Sequence, residues 1–214
     1  MITLKDITPI AQGSTQTIYP YPDYPERLIK VRKLKTMQKK YDRKIGGRIG
    51  YKRQHGLYAA WMRELDHYFS IALRLGRRPT FLQHYYGVVD TDLGLGLVVG
   101  KETDRNGNVA PTLQDLAKRG EFTREVQQQL EDLLKLINEL RISTTDVNMN
   151  NIVYGWSEDA GNHLVMIEGI GVNTFIPLSR FSNYLNIRSN NRHFERTYRS
   201  LRKIGAWHSP KSGS

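Results

Sequence analysis

One long helical pattern lies between two groups of extended segments, and this order constrains the fold more than any other feature of the sequence. Apolar residues recur at helical spacing over 57–75, and Gly76 follows as a stop signal. Short extended segments are predicted at 7–10, 17–19, 27–31, 85–89 and 94–99. Turns at 12–14 and at Asp92 join the first two and the last two, as in antiparallel hairpins. The first half therefore predicts an antiparallel sheet with one helix.

Helical patterns are more prominent in the second half, where Thr112 and Thr123 each stand at a predicted helix N-terminus. A Thr side chain there can accept a hydrogen bond from a free backbone N–H. The patterns predict a short helix that ends near Gly120 and a longer one at 124–140, followed by strands at 151–154 and 163–167. With 214 residues, 39% of them hydrophobic, the chain can form one large domain or two small lobes.

Between the longer helix and the next strand, Asp146 and Asn151 stand five positions apart in a loop of the type that catalyses phosphoryl transfer. In such a loop the Asp accepts or orients the proton of the attacking hydroxyl, and the Asn binds a metal ion that bridges the nucleotide phosphates. An Asn-rich polar turn would explain these residues without any chemistry. The segments on either side favour the catalytic interpretation.

The net charge of +11 is concentrated in two clusters. Ten Lys or Arg residues lie within 32–53 against one acid, Asp42, which indicates an exposed basic loop. The second cluster, at 180–203, places basic residues at three- or four-residue spacing beside Phe194, Tyr198 and Leu201, as in a basic amphipathic helix. A solvated face is the usual role of such runs. A protein partner or an anionic surface could bind them, and nucleic acid is the less favoured partner.

Several other classes of protein are excluded or disfavoured by the composition. The absence of cysteine excludes disulfides, thiolate metal sites and thiol nucleophiles. The six histidines show no paired metal spacing, and neither a Gly-x-Ser-x-Gly elbow nor a Walker-type phosphate loop is present. Neither a transmembrane segment of about 20 apolar residues nor the apolar segment of a signal peptide is found. These patterns predict a cytoplasmic protein.

Over about residues 7–176 the chain resembles the protein-kinase-like fold. The segment 112–120 is similar to the kinase segment after the hinge, and 141–152 is similar to the catalytic loop. The Ile170-Gly171 turn and the Asn-Thr-Phe-Ile-Pro-Leu run at 173–178 resemble more closely the YrbL family, the PhoP-regulatory-network proteins of bacteria. This resemblance implies a minimal α+β, two-lobed kinase-like fold. The N-lobe would be an antiparallel sheet at 1–103 with a basic loop at 32–56, and the truncated, mostly helical C-lobe would occupy 104–214.

The resemblance also implies a site for ATP and Mg²⁺ in the cleft between the lobes, at the hinge 98–102. Lys30 would reach the α and β phosphates and be positioned by Glu64, while Asp146 would act as the base toward a hydroxyl acceptor. Asn151 and Glu168 would bind the metal ion. The other expected nucleotide contacts are Gly13, Ser14, Thr15, Val99 and Lys101. Without a functional role, Lys30 would be an edge-strand lysine in water, and Glu64 an ordinary carboxylate on a helix surface.

The sequence departs from kinases at several places. Glu168 stands where kinases have the Asp of Asp-Phe-Gly, and its side chain reaches one methylene further, which Mg²⁺ tolerates poorly. Gly13 is alone where kinases usually have three glycines, and Thr144-Thr145 replaces His-Arg. No Ala-Pro-Glu follows Gly171. The predicted function is ATP-dependent phosphoryl transfer to an unidentified hydroxyl. The alternatives are a pseudokinase that acts as a regulatory binding protein and a basic nucleic-acid-binding module. Without a role at the metal, Glu168 would pair with a cation such as Lys30 and only hold the lobes together.

Overall fold

The computed structural model describes residues 1–35, 56–171 and 182–208, and the chain divides into two compact units. The first unit comprises Met1–Asp66 and His84–Lys101, and the second comprises His67–Gln83 and Glu102–Ser214. Most of the predicted basic loop lies outside the described residues, as does the 173–178 run. Of the ten basic residues of that loop, Arg32, Lys33 and Lys35 are described.

The first unit contains the predicted antiparallel sheet. Its five strands pair in the order β1-β2-β3-β5-β4, and every pairing is antiparallel. The strands are β1 (Ala11–Gln12), β2 (Gln16–Pro20), β3 (Arg27–Arg32), β4 (Tyr85–Thr91) and β5 (Gly94–Gly100). Strand β3 is therefore central, with β2 on one side and β5 on the other.

The prediction of a first strand at 7–10 is wrong, because that strand is Ala11–Gln12. The reason is the tightness of the turn that follows it. The backbone N–H of Gly13 donates to Gln16 O at 2.9 Å, so the two strands meet directly beside the turn. Of the predicted strand, Ile10 alone extends the pairing, donating its N–H to Ile18 O at 2.8 Å.

Two apolar clusters form on opposite faces of the sheet because side chains alternate along β3. Leu28 packs with Leu97, Val99 and Trp61 of the helix α1 (Ala59–Leu75). Ile29 and Val31 pack with Leu4 on the other face. One face of the sheet is thus covered by the first turns of α1, as its apolar pattern predicts.

The second unit contains the predicted helices and one hairpin. These are α2 (Leu113–Arg119), α3 (Arg124–Glu139), the antiparallel strands β6 (Ile152–Ser157) and β7 (Gly161–Met166), and α4 (Asn183–Lys203). Thr112 caps α2 in a reciprocal pair with Asp115, and Thr123 caps α3, so both predicted caps are confirmed. The predicted basic amphipathic helix is α4, with Phe194 and Leu201 fully buried. No helix within 1–35, 56–171 or 182–208 has the length and apolar content needed to cross a membrane.

Candidate functional site

Lys30 is a buried cation on the central strand of the first unit. It is 2% exposed and lies opposite Ile18 of β2 and Leu97 of β5. Since it shares a face of β3 with Leu28, it lies on the side of the sheet that α1 covers. The structure therefore excludes the alternative of an edge-strand lysine in water. Burying an ammonium group is costly unless an anionic or polar partner compensates.

Glu64 is half-buried on α1, which packs against that same face. Its Oε2 accepts a hydrogen bond of 3.4 Å from the Tyr85 hydroxyl, and Tyr85 lies opposite Val99 in the sheet. Glu64 is therefore not an ordinary surface carboxylate. The predicted cation and the predicted carboxylate lie in one layer, between the sheet and the helix.

The other predicted nucleotide contacts of the first unit lie at the β1–β2 turn and near the end of β5. Gly13 and Ser14 are exposed, and Thr15 Oγ1 accepts a hydrogen bond of 3.4 Å from Arg32 Nη1. A Cβ at Gly13 would meet Gln16 O at 3.5 Å, an ordinary contact, so packing does not require glycine there. Val99 is fully buried in the cluster around Trp61, and Lys101 N donates to Glu26 O at 2.9 Å.

In the second unit, Asp146 and Asn151 are joined by hydrogen bonds. Asn151 Nδ2 donates to the backbone O of Asp146 at 3.0 Å and to its carboxylate Oδ2 at 3.3 Å. Since a backbone oxygen requires a donor, this contact sets the orientation of the Asn151 amide. Within the described residues, Asn151 Oδ1 remains available as a hard oxygen ligand, so the pair fits a site for Mg²⁺ beside an exposed Asp.

The segment of Glu168 is held against the same loop by backbone pairing. Thr145 N donates to Gly169 O at 2.8 Å, Gly171 N donates to Ser143 O at 2.8 Å, and Thr144 and Ile170 form an antiparallel bridge. Gly169 has φ +95°, and a Cβ there would lie 2.2 Å from Asp146 O. Only glycine allows this approach. The structure thus brings Asp146, Asn151 and the Glu168 backbone together.

The described ranges contain no group of three or more His, Asp or Glu side chains placed to hold a metal ion. The predicted metal ligands are one amide and one carboxylate, Asn151 and Glu168. Mg²⁺ bound through one or two protein groups completes its shell with water and substrate phosphates. The residues present therefore fit a metal ion that arrives with a nucleotide, and they do not form a metal site by themselves.

Two buried asparagines of α4 hold the loop before Asp146, and sequence analysis missed both. Asn190 Oδ1 accepts from Thr144 N at 3.1 Å and from Thr144 Oγ1 at 2.9 Å, and Asn190 Nδ2 donates to Ile142 O at 2.8 Å. Asn186 donates to the same oxygen at 3.2 Å and accepts from Ser143 Oγ at 2.9 Å. Both are at most 1% exposed. Their four-residue spacing on the apolar face of α4 is the signal that could have identified them.

Replacing Asn190 tests this role. Asn190→Ala leaves Thr144 N–H and Ile142 C=O short of partners, and each unsatisfied buried group costs about 1–3 kcal/mol. We expect a loss of about 2–4 kcal/mol in the free energy of unfolding, measured by denaturant titration. Asn191→Ala is the matched control, since Asn191 is exposed and bonds only the Asn138 side chain among the described residues. Equal losses in both variants would contradict the assigned role.

His193 of α4 contacts the same loop. Its Nδ1 lies 2.9 Å from Thr144 Oγ1. The Asn190 amide is oriented by backbone groups, so the Thr144 hydroxyl donates to Asn190 Oδ1 and accepts from His193 Nδ1–H. Burial lowers the pKa of His193, and the positive charges of Arg196 and Arg192 lower it further. The negative charge of Asp146 acts in the opposite direction and raises it. The lowered pKa favours the neutral imidazole, and the bond to Thr144 favours the tautomer with its proton on Nδ1.

A cavity of about 290 Å³ opens beside these residues in the second unit. Asp146, Asn148 and Thr145 of the loop form one wall, and His193, Arg196 and Thr197 of α4 form another. Thr197 is buried and donates its hydroxyl to Val147 O at 3.0 Å, which fixes α4 to the far side of the loop. The exposed Asp146 carboxylate is therefore part of a cavity wall.

Comparisons with known proteins agree with this architecture. The family model described as PhoP regulatory network protein YrbL matches residues 2–202. The uncharacterized proteins YrbL of Escherichia coli (strain K12) and of Shigella flexneri are each 26% identical over 199 residues, which cover 92% of this chain and 86% of each relative.

Among solved structures, the protein kinase Rad53, residues 1–466 in complex with AMP-PNP, matches with a TM-score of 0.55 and 13% identity. The match covers 98% of this chain but 48% of that one, so the chain spans about half the length of the Rad53 chain. The likeness shows the fold alone. The predicted family and the predicted kinase-like α+β fold are both confirmed.

Proposed function

Since the chain belongs to the family of PhoP regulatory network protein YrbL and has a protein-kinase-like fold, we propose that it transfers the γ-phosphoryl group of ATP to a hydroxyl acceptor. The observation that supports this most is the pairing of Asp146 with Asn151 beside the Gly169 backbone. A simple polar turn would not require the buried Asn186 and Asn190, which bond the loop before Asp146. Nor would it require a glycine at 169, where a Cβ would overlap the backbone, or an exposed carboxylate that lines a cavity.

The roles in the first unit are electrostatic. Lys30 binds phosphate oxygens, and Glu64, oriented by the Tyr85 hydroxyl, keeps the lysine extended in its layer. A buried ammonium group on a rigid central strand loses little entropy when it binds an anion, because its side chain is already ordered. Ser14 and Thr15 would supply hydroxyl donors to phosphate, with Gly13 in the turn beside them, and Val99 and Lys101 are the residues proposed for the base side of the nucleotide.

The roles in the second unit are chemical. Mg²⁺ bound with ATP would supply charge stabilisation to the transferred phosphoryl group. Asn151 Oδ1 and the Glu168 carboxylate would hold it. Asp146 accepts the hydroxyl proton as the acceptor oxygen bonds to the γ-phosphorus and the bond to the β–γ bridging oxygen breaks. The Asn151 amide holds the Asp146 carboxylate in place for this step.

A second candidate function is a pseudokinase that binds nucleotide without turnover and regulates a partner protein. The observation that favours it is Glu168, whose longer side chain places its carboxylate one methylene beyond the position of the usual Asp. The backbone hydrogen bonds of Gly169 and Gly171 limit how far the backbone of this segment can shift to offset the longer side chain of Glu168. The basic face of α4, with Arg188 and Arg192 exposed, offers a surface for an acidic partner protein and, less favoured, for nucleic acid.

Nucleotide binding is the first test of the proposal. Mg-ATP at about 100 times its dissociation constant should raise the free energy of unfolding by about 2.7 kcal/mol. Lys30→Ala should lose most of this gain, because it removes the cation that binds the phosphates. The measurement is denaturant or thermal unfolding with and without Mg-ATP.

The matched control is Lys5→Ala, which removes an exposed lysine from the same unit and should keep the full gain. If Mg-ATP left the unfolding of the unmodified protein unchanged, both the phosphotransferase and the nucleotide-bound pseudokinase would be rejected.

A further inference from the structure

We propose that the cavity beside Asp146 binds a small acceptor that carries an oxyanion group as well as its hydroxyl, with Arg196 as the residue that selects the anion. The inference rests on the proposed phosphotransferase and names its class of acceptor. In this arrangement the hydroxyl of the acceptor faces Asp146, and its phosphate or carboxylate group faces Arg196 across the cavity.

Arg196 is the cation that the cavity presents to a ligand. Two neighbouring arginines of α4 form ion pairs within the helix, since Arg199 and Arg202 pair with Glu195 at 3.5 and 2.8 Å. Among the described residues no carboxylate forms an ion pair with Arg196, and its side chain lines the cavity. A guanidinium group binds a planar carboxylate or a phosphate through two parallel hydrogen bonds.

His193 adds a second group that responds to an anion. Its ring is anchored by the Nδ1–H bond to Thr144 and lines the cavity one helical turn before Arg196. The charged groups that act on it are Arg192 and Arg196 on its own helix and Asp146 on the facing loop. Negative charge bound near Arg196 stabilises the protonated ring, so His193 should take up a proton when the anion binds.

The size of the cavity favours a small molecule over a peptide. About 290 Å³ is just below the usual range for ligand pockets, which is about 300–1,000 Å³. The opposite charges on its two walls suit a compound with a hydroxyl group at one end and an oxyanion at the other. A neutral alcohol would leave Arg196 without a partner, and a dianion without a hydroxyl would offer Asp146 nothing to deprotonate.

Inorganic phosphate and acetate are the probes, used on the full chain without nucleotide or metal. Their binding is followed through the ring proton resonances of His193 near pH 6.5, assigned by their absence in His193→Asn. We expect the resonances to move toward the protonated position with at least one probe, and Arg196→Gln to weaken that binding at least about tenfold. The probe that binds more tightly identifies the oxyanion as phosphate or carboxylate.

Two control variants make the result specific to this cavity. Arg199→Gln removes a neighbouring positive charge that is already paired with Glu195. This variant should bind the probes with an affinity within about twofold of the unmodified protein. Lys5→Ala should also leave the His193 response unchanged, since it removes an exposed lysine of the first unit that has no proposed role in binding.

The outcomes separate this inference from the proposed function. If neither probe moves the His193 resonances, or if Arg196→Gln and Arg199→Gln weaken binding equally, the anionic-acceptor inference is overturned even where Mg-ATP stabilises the protein. If the probes bind through Arg196 while Mg-ATP has no effect on unfolding, the phosphotransferase is rejected and the cavity remains an anion site.

Discussion

Gly169→Ala is expected to lower the free energy of unfolding by about 2–4 kcal/mol, because the substitution adds two costs. An alanine at φ +95° is strained, at about 1–2 kcal/mol. Its Cβ would also lie 2.2 Å from Asp146 O and 2.9 Å from Asp146 C, which are backbone atoms of the loop that precedes Asn151. The loop must move to relieve the overlap, so the bond between Asn151 and Asp146 should weaken as well. Denaturant unfolding measures the first effect and Mg-ATP binding the second.

Gly161→Ala is the matched control. Gly161 also has a positive φ, of +63°, but a Cβ there would meet nothing within 4 Å. The Gly161→Ala substitution should therefore lower the free energy of unfolding by about 1 kcal/mol, through backbone strain alone. It should leave Mg-ATP binding unchanged. A Gly169→Ala protein as stable as Gly161→Ala would show that the contact with Asp146 is not a constraint on this residue.

Asp146→Asn is expected to reduce turnover by about 10²–10⁴-fold, the usual contribution of a general base. The amide is isosteric, and Asn151 still donates to the backbone oxygen of residue 146, so the loop should keep its shape. The affinity for Mg-ATP should change little, because the proposed role of Asp146 is toward the acceptor and not toward the nucleotide. The measurement is ATP consumption with candidate acceptors that carry a hydroxyl and an oxyanion, compared with the unmodified protein.

Asp132→Asn serves as the control for a lost carboxylate, since Asp132 is an exposed partner of Lys135 on α3. It should leave turnover unchanged. Equal background rates in the unmodified protein, Asp146→Asn and Asp132→Asn, with Mg-ATP binding intact, would favour the pseudokinase that binds without catalysis.

Much of the fold could be predicted because its signals are local. Thr112 and Thr123 cap their own helices through atoms three residues away, so the caps can be read from short segments. The helix at 59–75 and the strands that flank it follow from the spacing of apolar residues. The first strand was misplaced because its position depends on the tightness of the turn at Gly13, and apolar Ile7 and Ile10 gave a stronger pattern than exposed Ala11 and Gln12.

The candidate site was predicted only in part. Asp146 and Asn151 were identified because their five-residue spacing is itself a motif, and the hydrogen bonds between them span that same short distance. Asn186, Asn190, His193 and Arg196 were missed as members of a site. The pattern of α4 indicated a basic amphipathic helix, and a basic helix gives no sign that some of its polar groups face inward.

The sequence by itself determined the family, the kinase-like order of elements and the identity of the Asp–Asn pair, because each is encoded in short-range spacing. The tertiary structure alone decided that Lys30 is buried on a central strand, since strand order depends on pairing between β3 and β5, far apart in the chain. It likewise decided that Asn190 holds a loop 46 residues before it and that Arg196 and Asp146 line the same cavity. Such contacts depend on how helices and loops pack, and no local pattern specifies the partner of a polar side chain at that distance.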